Sequence, residues 1–254
     1  MTNFARTLLG LLTVLSAGPA GAGTFVEDFE DYSEGGAFAN VLQPGSNPVK
    51  GWWSESYYSK PDEAGASVVI VSPMEDGPGG GRCMQLWGLN DTPRVSNYFG
   101  PHEHEGVSYE GSFERPLSGS GNRLQWDAFS SAGQYLTFQI LDPSGPVLSV
   151  SIKPDGLWVN GANLGTDALG TSEAAWRRFE IANLDVGAGT FDLKVSVWDR
   201  GTGNFKECQS DAGLVFQPRE APGALQSFAA FFDGITGGHE AVLIDNFQVV
   251  SPDP

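Results

Sequence analysis

Short runs rich in Val, Ile, Phe, Tyr and Trp, each ended by Gly or Pro, fill the chain from residue 24 onward. Such runs read as strands when they alternate with period two. Arg123–Phe129 alternates Leu124, Trp126 and Ala128 against Gln125 and Asp127. Tyr135–Leu141 alternates as well, but either set can face inward. No window carries an apolar stripe over three helical turns, and residues 168–177 allow one turn at most. The 34 Gly and 16 Pro supply the turns between runs. Many strands at hairpin spacing predict an all-β fold, a two-sheet antiparallel β-sandwich. The chain has no fixed-period repeat, which argues against solenoids and propellers.

The predicted strands begin with Thr24–Tyr32, where Phe25 and Phe29 share one face. Ser67–Ser72, Cys83–Trp87, Val95–Phe99 and Val107–Arg115 follow. Val147–Ile152 and Leu157–Val159 flank a Lys-Pro-Asp-Gly turn, and Trp176–Ile181 pairs with Thr190–Trp198. Phe228–Phe232 and Val242–Val250 close the chain. Three segments read as long loops: Gly35–Gly65, Gly100–Gly106 and Gly201–Ala224. Long loops on a β-domain are where function concentrates.

Residues 1–22 read as a secretory signal peptide. Arg6 is its only charge, Leu8–Ser16 is a short apolar run, and Ala20-Gly21-Ala22 is a small-residue cleavage site. A membrane span needs roughly 20 apolar residues, so this run is too short to be an anchor. Residues 23–254 are then one exported domain, secreted or periplasmic, with no membrane insertion predicted. The formal charge is −17, from 14 basic and 31 acidic residues. Nucleic acid is not an expected partner, because phosphate binding needs a basic surface. Acidity of this kind keeps an exported protein soluble. Cys83 and Cys208 are the only cysteines. Export permits a disulfide, and the sequence leaves open whether the two meet.

Three segments carry a resemblance. The first is Phe25-Val26-Glu27-Asp28-Phe29-Glu30-Asp31-Tyr32, followed by Gly51-Trp52. The second is Trp176-Arg177-Arg178-Phe179-Glu180-Ile181 with Gly189-Thr190-Phe191-Asp192-Leu193-Lys194-Val195. The third is Ile244-Asp245-Asn246-Phe247-Gln248-Val249. Together they resemble the laminin-G-like bacterial members of the concanavalin A-like lectin/glucanase superfamily. The resemblance implies a jelly roll whose first and last strands lie together. It also implies one structural calcium ion at Asp245. Alternation places Asp245 on one face with Leu243, Phe247 and Val249. On a core face that carboxylate needs a cation, a hydrogen-bond network or a proton. Glu30 and Asp28 are the expected co-ligands, since calcium takes oxygen donors.

Recognised catalytic patterns are absent. The Glu-x-Asp-x-x-Glu strand of family 16 glycoside hydrolases does not occur, nor do the strand motifs of the alginate lyases. His102-Glu103-His104-Glu105 offers a base or a metal donor set, but Pro101 and Gly106 bracket it as a loop. His102, His104, Tyr98, Arg82 and Gln85 are the catalytic candidates, placed on one shared face. Aromatic rings suit the apolar face of a sugar. Trp53, Tyr57, Tyr58 and Trp87 are the candidate ligand-binding residues. Trp52 follows the family's Gly-Trp position and is assigned to the core. Strand placement also assigns Trp126, Trp158, Trp176 and Trp198 there. The expected role is a secreted carbohydrate-binding or cell-surface recognition module, with a poly- or oligosaccharide as partner. The alternatives are an extracellular polysaccharide lyase or glycoside hydrolase, and a structural envelope or matrix protein.

Overall fold

The computed structural model describes residues 23–32, 51–54, 67–74, 77–78, 80–88, 94–104, 107–109, 111–113, 116–131, 134–165, 173–218, 222–233 and 240–252. Within the strands, the backbone alone is described at 67–71, 87–88, 102, 104, 107, 109, 232–233 and 240–241. Residues 1–22, read from the sequence as a signal peptide, and Tyr57 and Tyr58 lie outside these residues. Every regular element among them is a strand. No helix there is long and apolar enough to cross a membrane.

Sheet A runs in the order β15 (Asn204–Val215), β14 (Thr190–Asp199), β13 (Ala175–Asp185), β8 (Asn122–Ser130), β17 (Glu240–Ser251), β4 (Arg82–Gly88) and β3 (Ser67–Pro73). Strand β1 (Gly23–Glu27) also pairs with β17. Sheet B runs β12 (Ala162–Gly165), β11 (Gly156–Val159), β10 (Gly145–Lys153), β9 (Tyr135–Asp142), β16 (Ser227–Asp233), β5 (Arg94–Tyr98) and β2 (Trp52–Ser54). A separate hairpin joins β6 (His102–His104) to β7 (Val107–Tyr109). All these pairings are antiparallel. The fold is the predicted two-sheet antiparallel β-sandwich, and its first strand pairs with its last as the resemblance implies.

The core lies between the sheets. Trp126 of β8 stacks on Phe179 of β13 at 5.3 Å between centroids, and Phe138 and Phe228 of sheet B close over it. Leu136, Phe138 and Ile140 are the inward set of β9, which settles the facing left open by alternation. Burying each such ring contributes about 1.5–3 kcal/mol.

The first and last strands zip together, with Phe25 opposite Val249 and Glu27 opposite Phe247. Phe25 meets the Phe247 ring at 6.2 Å. Strand β1 ends at Glu27, and Phe29 reaches the same core through a left-handed turn at φ 59°. That conformation is strained for a bulky side chain. The buried Glu27 carboxylate holds it, accepting Phe29 N–H at 3.0 Å and the Tyr32 hydroxyl at 2.7 Å. The Phe29 ring then packs on Trp52 at 5.7 Å, and Trp52 on Phe247 at 5.0 Å.

Two predicted loops contain strands. Residues 204–215 form β15, the edge of sheet A, because its outer positions meet water and need no apolar face. Two register shifts against β14 and the charges of Lys206, Glu207 and Asp211 blunt that edge. His102–His104 is extended rather than looped, paired with Val107–Tyr109. Strand β13 opens at Ala175, one residue before the predicted Trp176–Ile181 strand, and of the stretch where one helical turn was allowed 168–172 lie outside the described residues.

Both cysteines are free. Cys83 sits on β4 and Cys208 on β15, with four strands of sheet A between them. At about 4.8 Å per strand they are too far apart for a disulfide. Burial pushes the Cys83 thiol up to about 12, so it stays protonated and inert.

Candidate functional site

Alternation gives each sheet an outer face, and the two faces differ in chemistry. On sheet B, one row runs Arg94, Phe231, Thr137, Ser151, Trp158 from β5 to β11. The next row runs Trp53, Ser96, Ala229, Gln139, Ser149. The middle of this face is small and hydroxyl-bearing. Thr137 Oγ1 and Ser151 Oγ hydrogen-bond at 2.9 Å. Larger groups flank it. The Arg94 guanidinium lies 5.2 Å from the centre of the Phe231 ring, and Lys153 Nζ lies 4.1 Å from that of Trp158. The Trp158 indole N–H donates to Asp155 Oδ1 at 2.9 Å, which fixes the ring plane. Three strand spacings separate Phe231 from Trp158, about 14 Å.

The outer face of sheet A carries buried charge. Asp245, Asp127, Arg178 and Ser196 stand in register across β17, β8, β13 and β14. Asp127 is fully buried, and Arg178 grips it with two hydrogen bonds of 2.7 and 2.8 Å. Asn246 Nδ2 donates to Asp127 Oδ2 at 2.9 Å and to Asp245 Oδ2 at 3.0 Å. Asn246 can bridge both because it is left-handed, at φ 50°, in a bulge between Asp245 and Gln248. The bulge corrects the predicted facing of Asp245. Phe247 and Val249 point into the core, whereas Asp245 stays on the outer face beside Leu243. There it is covered and only 3% exposed. Burial pushes its carboxyl up to about 8, and the negative charges of Asp127, Asp28 and Glu30 add to the shift. Burial also raises Asp127, against the pull of Arg178 and Asn246.

The residues named for calcium do not assemble into a donor set. Asp245 Oδ1 is buried without a hydrogen-bond partner among the described residues, as a ligand oxygen would be. Glu30 Oε1, however, accepts Arg82 N–H at 2.6 Å, and Asp28 Oδ1 accepts Glu30 N–H at 3.3 Å. Among the described residues no three His, Cys, Asp or Glu are grouped to hold a metal.

The catalytic candidates do not share a face. Arg82 and Gln85 are on β4 of sheet A, and Tyr98 is on β5 of sheet B. The Arg82 guanidinium is engaged, donating at 2.8 Å to the carbonyls of Glu30 and Tyr32, so it clamps the turn after β1. His102 and His104 lie on β6, and their side chains are outside the described residues, as is that of Trp87 on β4. Trp53 lies on the outer side of sheet B but is 1% exposed. A stacking platform must be open to solvent, so Trp53 is not one in this conformation. Trp158 and Trp198, assigned to the core, are half-exposed on outer faces; Trp176 is buried, but in a small cluster with Met74 and Cys83 outside sheet A. Trp52 and Trp126 are core residues. Sequence reasoning missed Arg94, Thr137, Ser151 and Phe231, which carry no motif. The usable signal was alternation: the set opposite Leu136, Phe138 and Ile140 had to face outward.

No family model matches the chain, and no curated protein does. Solved structures do. An apo Crh5 transglycosylase is similar at 11% identity and TM-score 0.48, covering 92% of this chain and 87% of that one. A marine PL-14 alginate lyase from Aplysia kurodai is similar at 14% and 0.40, covering 72% and 87%. Lectin UEA-II, complexed with galactose, is similar at 7% and 0.42, covering 91% and 98%. Likeness this distant says nothing of what this chain does.

Proposed function

We propose that this is an exported carbohydrate-binding module whose ligand face is the outer side of sheet B. The supporting observation is the pair of ring–cation groups, Arg94 with Phe231 and Lys153 with Trp158, set on either side of a hydroxyl floor. A sugar presents hydroxyls that both donate and accept, and an apolar C–H face. Ser and Thr hydroxyls match the first, and half-exposed rings match the second. The acidic balance of the chain favours a neutral or cationic glycan over a polyanionic one.

A glycan array combined with assays for reducing ends and for unsaturated products tests the reading. Binding without product is the expected result. Product formation would replace the module with a lyase or hydrolase. Trp158→Ala should weaken glycan binding roughly tenfold, the loss of an aromatic contact of about 1–1.5 kcal/mol. Unchanged affinity in that variant argues against the sheet B face. Calcium at Asp245 is a separate reading, supported by its unpartnered Oδ1. A chelator that lowers the melting temperature supports it, and an unchanged melting temperature favours a proton on that carboxyl instead.

A further inference from the structure

Sheet A has two cavities on its outer face. One, of about 220 Å³, is lined by Arg123, Gln125, Glu180, Ala182, Gln248 and Val250. The other, of about 400 Å³, is lined by Pro78, Arg178, Trp198, Asn204, Phe205 and Asn246. They follow one another along the strands. Gln248, Gln125, Glu180 and Lys194 form one cross-strand row, and Asp245, Asp127 and Arg178 form the next. Rows two residues apart on a strand are about 6.8 Å apart, so both cavities fall along one short track.

Two ion pairs lie along this track, with Arg123 of the first cavity and the buried Asp245 outside them. Lys194 forms a salt bridge with Glu180, and Arg178 forms one with Asp127 at 2.7 Å. The remaining polar groups are mostly uncharged amides: Gln125, Gln248, Asn204 and Asn246. Amides donate and accept in equal measure, as sugar hydroxyls require. A ring wall stands at one end. Trp198 meets Phe205 edge-on at 5.2 Å, and the Arg178 guanidinium lies over the Phe205 ring at 4.1 Å. Trp198 itself is half-exposed.

We propose that the outer face of sheet A is a second saccharide-binding surface, on the opposite side of the sandwich from the sheet B face, for a neutral oligosaccharide. The two ion pairs cancel, and Arg123 is a single cation at one end rather than the cluster that a uronate, sulfate or phosphate chain needs. The amides and the Trp198 ring match a neutral polyhydroxyl chain. Two faces on one domain would let it bridge two glycan chains, and would raise its avidity for an insoluble polysaccharide.

Titration of the mature chain with neutral glucohexaoses (β-1,4-linked and β-1,3-linked) tests this. Two sets of variants are compared with the wild type: Gln125→Ala with Asn204→Ala on sheet A, and Trp158→Ala with Thr137→Ala on sheet B. Trp198→Phe is a third, conservative variant that keeps a ring on the wall. The expected result is two binding events on the wild type: the sheet B variant keeps only the sheet A event, the sheet A variant weakens that event about tenfold and keeps the sheet B one, and Trp198→Phe retains most of the sheet A event. Loss of all binding in the sheet B variant overturns the inference and leaves the proposed function standing. Loss of all binding in the sheet A variant, with none in the sheet B variant, supports the inference and removes the sheet B face. Wild-type chain that binds neither hexaose overturns the inference, while other neutral and cationic glycans on the array still report on sheet B.

Discussion

The outer faces of sheets A and B are built on the same alternation, yet they handle polarity in opposite ways. Sheet B puts small hydroxyl side chains at its centre and keeps its cations at the flanks, over rings. Sheet A buries two carboxylates side by side at its centre and matches them with one guanidinium and one amide. A hydroxyl floor costs little to desolvate. A buried ion pair costs much more, and holds only if its geometry stays intact. Sheet A therefore carries stability risk in its polar row, and sheet B carries almost none.

Arg178→Met should show the largest effect. It leaves Asp127 buried and unmatched, at a cost of about 3 kcal/mol, toward the low end for a buried pair because Arg178 keeps part of its side chain in water. Urea unfolding reads this directly, and a loss under 1 kcal/mol would dissolve the contrast between the faces.

Asp245→Asn comes next, and it acts through pH. The Asp245 carboxyl is raised in the folded state to about 8, above its ordinary 3.8. Between those values the folded chain holds a proton that the unfolded chain has lost. Stability from this group is full below the unfolded value and falls as pH rises toward about 8. Melting curves from pH 4 to 8 should lose that slope in the Asn variant, which needs no proton. A slope unchanged by the substitution would mean that Asp245 is ionised throughout.

Ser151→Ala on sheet B should cost only about 0.5–1.5 kcal/mol, the net value of its bond to Thr137. Lys194→Ala is expected to be smallest, under about 1 kcal/mol, since its bridge to Glu180 is partly in water. Thermal melts in low and high salt distinguish the two. Only the Lys194 contribution should shrink with salt.

The legible part of the site was facing. Gln125 and Asp127 opposite Leu124 and Trp126 already marked an outer row on β8. For Asp245 the same rule failed, because a left-handed Asn246 inserts one extra residue and reverses the facing beyond it. Trp158, Trp176 and Trp198 departed from their core assignment for a different reason, whereas Trp52 and Trp126 kept theirs. A strand buries one face in the core, and being in a strand does not say which face a ring is on. The 204–215 edge was missed because an edge strand has no obligation to be apolar.

Alternation, turn residues and the absence of any helical stripe were sufficient to determine an antiparallel two-sheet sandwich and part of its core, Leu124 and Trp126 among it, because burying apolar area is a local, periodic demand on the sequence. The meeting of Asp127 with Asp245 and Arg178, and of Phe231 and Arg94 with Thr137, joins residues tens of positions apart through strand order and register. Those are long-range pairings, and a single bulge can shift them. Only the folded sheet decided which outward side chains stand next to one another, and so what each face can hold.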